Sequence, residues 1–318
     1  MSRKLTYSRA GFLRRVKMSY HSSLWLIVEG KTIDPYLAEH ACRTSTKISS
    51  SGYQILLINQ IANEAGEYAG GKSAILDFYE YCKSHDKLQQ VNRGGSRSIA
   101  FLLDRDTQHI TGGLRRSQHI NYTLYADAEA HVFSESDELK ALMVAASLDN
   151  SSCRALLKSL GNWKRKLADD WRPWIELCYV AGATGSSCRW VGMGHSQSRI
   201  HTGWNSRKLD PDLLAQAKLE VKANSNLDSE QYSIIESRVL ARLDRIYATG
   251  DQTKLLKGKW LAFQLTHLVE SYWKDAKWSK SNWHSQGFAT AITRCYVASL
   301  KSSGPGTTKL RRRLEDLC

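Results

Sequence analysis

The sequence predicts an α/β fold, with a mostly parallel sheet flanked by helices over residues 22–135 and a mainly α-helical remainder. Three observations predict it. Short apolar runs alternate with helix-spaced segments in the first part, as strand–helix–strand units require. The runs are apolar throughout instead of alternating, which marks strands covered on both faces. After residue 126 such runs stop, and apolar residues recur every three or four positions.

Residues 1–20 carry Arg3, Lys4, Arg9, Arg14, Arg15 and Lys17 and no acid. They read as a basic arm that either contacts phosphates or stands as a solvated tail. Leu24–Val28 is the first strand, Glu29-Gly30 its turn, and Ile33, Tyr36, Leu37 and Ala41 space a helix. Residues 53–58 form a second strand, and a second helix runs from Lys72 to His85. Ile99–Leu103 is the central strand, residues 107–118 a polar loop, and Tyr122–Ala126 the fourth strand. Residues 137–183, 229–248, 254–274 and 285–300 have helical periodicity. A Gly/Ser-rich loop fills 184–208, and the tail holds Lys309, Arg311, Arg312 and Arg313. The expected organisation is an arm (1–20), an α/β domain (21–149) and a helical domain (150–318). Eight of the ten tryptophans fall between residues 163 and 278. In a helical region they are expected mainly as core anchors, with base stacking the alternative for exposed ones.

Three of the four predicted strands end in acid. Leu24–Val28 runs into Glu29, the central strand into Asp104 and Asp106, and the fourth into Asp127 and Glu129. In open parallel sheets, chemistry collects beyond the carboxyl ends of the strands. Carboxylates gathered there repel unless a positive group lies among them, and a divalent cation is the usual one. The alternative is that each acid is a local cap or a surface charge. The chain as a whole is basic, with formal net charge +14, which favours a polyanionic partner such as nucleic acid. A basic surface around an acidic pocket suits metal-dependent phosphodiester chemistry. No run approaches a membrane span, and the charged N-terminus does not read as a secretory signal. Seven scattered cysteines argue against a disulfide framework, so a reducing cytoplasm is expected and no membrane partner.

Val28-Glu29-Gly30 followed by Leu103-Asp104-Arg105-Asp106 resembles the TOPRIM fold of topoisomerases, primases and the overcoming-lysogenization-defect (OLD) nucleases. Tyr125-Ala126-Asp127-Ala128-Glu129 is similar to a further acidic motif of the bacterial TOPRIM subgroup that contains the effector nuclease of the PARIS anti-phage system. Lys257-Gly258-Lys259-Trp260 is similar to a late Gly-Lys element of that subgroup. The resemblance implies Mg²⁺, with Mn²⁺ as the alternative ion, held by Glu29, Asp104 and Asp106 and completed by Asp127 and Glu129. Lys259 would neutralise the scissile phosphate. It further implies a toxic anti-phage effector that cleaves RNA such as tRNA, restrained by an ABC/AAA-type ATPase partner and working as a homodimer. An OLD-type DNA nuclease or nickase is one alternative, since both nucleic acids offer the same phosphodiester. A non-catalytic nucleic-acid-binding adaptor is the other.

Two further motifs compete. Gly66–Ser73 satisfies the P-loop pattern, but Asn59–Ala65 separate it from the preceding strand, whereas a P-loop starts where its strand ends. It reads as a glycine-rich lead into a helix whose N-terminus could still meet a phosphate. Cys178, Cys188, His195 and His201 lack the tight pair of a structural zinc site.

Overall fold

The computed structural model describes residues 6–92, 95–202, 208–275 and 285–318. Arg3 and Lys4 of the expected arm, and Trp204, Trp278 and Trp283, lie outside the described residues. The contacts divide the chain into two compact units. One comprises residues 1–104, 115–124 and 300–318, and the other residues 105–114 and 125–299. The expected boundary at 149/150 is not where this division falls, and the last residues belong with the sheet.

The first unit holds a five-stranded, mostly parallel sheet. Its strands are β1 (Leu24–Val28), β2 (Tyr53–Leu57), β3 (Gln89–Asn92), β4 (Gly95–Leu103) and β5 (Ile120–Tyr122). β1 lies between β2 and β4 and runs parallel to both. The other edge of β4 is shared. Antiparallel β3 takes Gly95–Ser98, and parallel β5 takes Phe101–Leu103. All five residues of β1 are buried, as an uninterrupted apolar run requires of a strand covered on both faces.

The helices α1 (Arg9–Met18), α2 (Asp34–Arg43), α3 (Thr46–Ser51) and α4 (Gly71–Ser84) supply most of that cover. On one face, Phe12 and Val16 of α1 and Ile75 and Phe78 of α4 pack with Trp25, Ile27, Ile99, Phe101 and Leu103. The expected basic arm is therefore, from Arg9 onward, a helix with a buried apolar stripe. Arg9 itself is buried and ion-paired to Asp77 and Glu64. The hairpin partner β3 was not legible, because Gln89–Asn92 has no apolar run.

The second unit is helical. It contains α5 (Gln108–Thr111), α6 (Ala128–Glu135), α7 (Glu138–Ala145), α8 (Asn150–Leu160) and α9 (Trp163–Asp170). It continues with α10 (Arg172–Thr184), α11 (Pro211–Ala223), α12 (Ser229–Ala248), α13 (Gly258–Asp275) and α14 (Ser285–Ala298). Asp127, Asp137, Asp149, Asp210 and Asp228 cap α6, α7, α8, α11 and α12, each carboxylate accepting a first-turn backbone N–H. Such caps satisfy donors that the helix itself cannot. Trp163, Trp171, Trp174, Trp260 and Trp273 are buried, so the described tryptophans serve mainly as core anchors, while Trp190 is half-buried and donates to Glu220.

The expected basic tail is α15 (Pro305–Glu315), which returns to the sheet unit. Leu310 and Leu314 are buried. Arg313 donates to the carbonyls of Ser117 and Ile120, and Ser98 Oγ donates to the Leu317 carbonyl.

Candidate functional site

Two of the five predicted acids lie on the sheet unit. In the β1–β4 ladder Val28 stands opposite Leu102, so Glu29 and Asp104 follow directly at the carboxyl ends of two adjacent parallel strands. Such strands lie about 4.8 Å apart. Both residues are half-buried. The Glu29-Gly30 turn is fixed by a residue that the sequence reading missed. Asp34, in the first turn of α2 and 7% exposed, accepts the Gly30 N–H. A Cβ at Gly30 would come within 2.8 Å of that carboxylate, which explains the glycine. The signal available in sequence was an Asp four residues after the glycine and just before Pro35, a residue that suits a helix's first turn.

The other three acids belong to the helical unit. The chain leaves the sheet unit between Asp104 and Arg105, inside the Asp-x-Asp motif. Asp106 has φ +44°, a backbone that side chains other than glycine adopt at some cost. Its N–H donates to the Ala126 carbonyl at 2.8 Å.

Asp127 does not end a strand as expected: β5 stops at Tyr122. Asp127 instead stands at the start of two helices. Its Oδ1 accepts the Ala130 N–H of α6 at 2.7 Å and the Gly258 N–H of α13 at 3.0 Å. Two helix N-termini are thus directed at one carboxylate. Glu129 lies in the first turn of α6, half-buried.

The positive group among these acids is Lys257. Its Nζ is 2.8 Å from Asp106 Oδ1 and 3.1 Å from Asp127 Oδ2. Lys259, the lysine singled out in sequence, is exposed in the first turn of α13. The residue that makes this placement possible is Gly258. A Cβ at Gly258 would fall within 2.7 Å of the Ala130 nitrogen, so only glycine lets α13 start against α6. Tyr179 is fully buried, and burial pushes its phenol well above the ordinary range; Lys257 opposes that shift, while Asp106 adds to it.

Among the described residues no group of three or more His, Cys, Asp or Glu side chains is placed to hold a metal ion. The donor set of Glu29 and Asp104, two hard oxygen ligands at neighbouring strand ends, fits Mg²⁺ completed by waters and a phosphate oxygen. In the loop-rich region His201 donates Nε2–H to the Asp170 carbonyl at 3.0 Å, and Cys188 contacts Glu220. The Gly66–Ser73 motif leads into α4 with Gly70 as a cap that has no side-chain hydrogen bond, well removed from the end of β2.

No protein-family model, curated protein or solved structure compared with the chain matches it.

Proposed function

We propose that this chain is a Mg²⁺-dependent phosphodiesterase of the TOPRIM type that cleaves nucleic acid, with Glu29 and Asp104 as the metal ligands. One observation carries the reading. Glu29-Gly30 and Asp104 terminate adjacent, parallel strands, β1 buried throughout and β4 buried from Arg97 to Leu103, where α/β sheets place their chemistry. The bound ion would polarise the phosphoryl group and lower the pKa of a water. Glu29 and Asp104 would hold it, and Asp34, by fixing the Gly30 N–H, would keep the Glu29 turn in place. The basic excess of the chain favours a polyanionic substrate. The resemblance of the motifs to the anti-phage subgroup adds RNA such as tRNA as the substrate, release from an ATPase partner as the trigger, and a homodimer as the working form.

A second reading, a nucleic-acid-binding protein without catalysis, is favoured by the Lys257 ion pairs. An ammonium already neutralises Asp106 and Asp127, as a structural role for those acids would require. Incubation of the purified chain with tRNA and with supercoiled plasmid, in Mg²⁺ and in EDTA, separates the readings. Mg²⁺-dependent tRNA cleavage lost in Glu29→Ala supports the first. Plasmid cleavage alone makes the substrate DNA. Cleavage or cell toxicity unchanged in Glu29→Ala removes Glu29 from the chemistry.

A further inference from the structure

The sheet unit carries a groove of about 620 Å³ at the opposite end of β1 from Glu29. Its walls come from the last turns of α1, the Ser19–Ser22 connection and the first residues of β1 and β2, with Arg14, Arg15, Tyr7, Tyr20, Trp25 and Gln54 among the lining residues. The distance along the strand from Trp25 to Glu29 is four residues, about 13 Å.

Two features of the groove point to one kind of ligand. Its lining contains two arginines and no acid, on a segment of chain whose only charges from residue 1 to 20 are positive. It has aromatic faces: Tyr20 is 74% exposed, and the Arg15 guanidinium lies over the Tyr7 ring at 5.4 Å. The floor is firm. Gly52 has φ +73° and packs so tightly against the His21 carbonyl that any Cβ there would collide with it. Ser23 N–H also donates to the Gly52 carbonyl.

Cationic side chains that track phosphates beside an exposed aromatic face that stacks a base describe a platform for single-stranded nucleic acid. The geometry points to this groove as a binding site for single-stranded RNA or DNA, separate from the strand ends that carry the acids. It holds the strand with Arg14 and Arg15 on phosphates and Tyr20 beneath a base. This assignment does not depend on catalysis.

The test is fluorescence anisotropy of a labelled oligouridylate of about ten nucleotides with the full chain carrying Glu29→Ala, in EDTA. Failure of the proposed chemistry then cannot affect the result. The double variant Arg14→Ala/Arg15→Ala should weaken binding and lower the salt slope by about 1.4, at 0.7 per lost phosphate contact. Tyr20→Ala should weaken binding about tenfold. Arg14, Arg15 and Tyr20 are exposed, so these variants should fold. Lys218→Ala/Lys222→Ala on α11, also exposed, is the charge-matched control and should bind as the parent does. Binding of the arginine variant within twofold of the parent would overturn the assignment. So would an equal loss in the lysine control, equal affinity for duplex, or binding of anionic vesicles or an acidic peptide with no binding of the oligonucleotide.

Discussion

Lys257 Nζ stands 2.8 Å from Asp106 Oδ1, across 151 residues of sequence, and its second partner is Asp127 at 3.1 Å. The Lys257 side chain is 11% exposed and that of Asp127 6%. Removing one member of a pair this buried leaves a charge without compensation, which costs about 3–5 kcal/mol. Lys257→Met should therefore destabilise the protein by about 3 kcal/mol in urea denaturation. Lys259→Met, at an exposed position, should stay within about 0.5 kcal/mol of the parent. Equal effects of the two would contradict the assignment of Lys257 as the buried cation.

Gly258→Ala tests how α13 begins. The added methyl would meet the α6 backbone at Ala130 N and Glu129 C, both at 2.7 Å, and backbone cannot give way as a flexible side chain can. The substitution should cost about 3 kcal/mol or more, as overpacking at a rigid contact does, and should lower the melting temperature. Gly194→Ala, where a Cβ meets nothing within 4 Å, is the control and should change little.

Acid should weaken the fold through its histidines. Burial lowers the pKa of His119, His195, His201 and His267 below the ordinary 6.5. In the window between each lowered value and 6.5 the unfolded chain binds more protons than the folded one, so stability rises with pH there. Their contribution is complete above pH 6.5 and is lost as pH falls below it. The melting temperature should drop between pH 7.5 and 5.5. His119→Gln should reduce that drop. His119 donates Nδ1–H to the Ile99 carbonyl at 2.8 Å, a bond that a glutamine amide can replace without titrating.

Thiol chemistry should sort the cysteines by burial, since all seven are free. Burial pushes the Cys42 and Cys82 thiols up to about 12, leaving almost no thiolate at pH 8. Alkylation of the native chain at pH 8, read by peptide mass, should label Cys188, Cys295 and Cys318 well before Cys42 and Cys82. Equal labelling would mean that the sheet unit opens readily.

The sheet was legible because its central strands are apolar runs, and β1, β2 and β4 fall where those runs lie. What escaped notice carries a different signal. The apolar residues Phe12, Leu13 and Val16 of α1 are outnumbered by arginines and lysines, so the charge masked a three-residue core stripe. Arg311, Arg312 and Arg313 hid Leu310 and Leu314 of α15 in the same way. The apolar run up to Ala126 was read as a strand, but only Ile120–Tyr122 pairs with β4; the rest leads into the Asp127 cap. Of the candidate site, Glu29 and Asp104 were readable because a strand's end can be seen in sequence. The partnership of Lys257 with Asp106 was not, because it depends on a contact between residues 151 positions apart. Asp34 was overlooked because a single acid near a helix start is indistinguishable from an ordinary cap.

The central claim is that Glu29 and Asp104, at the ends of β1 and β4, hold a divalent ion. Electron paramagnetic resonance of Mn²⁺ titrated into the parent chain and into Glu29→Gln/Asp104→Asn measures this without reference to any substrate. The claim predicts saturable Mn²⁺ binding to the parent, displaced by excess Mg²⁺ and lost in the double variant while the fold is kept. Unchanged binding in the double variant, or no saturable binding by the parent, would contradict it.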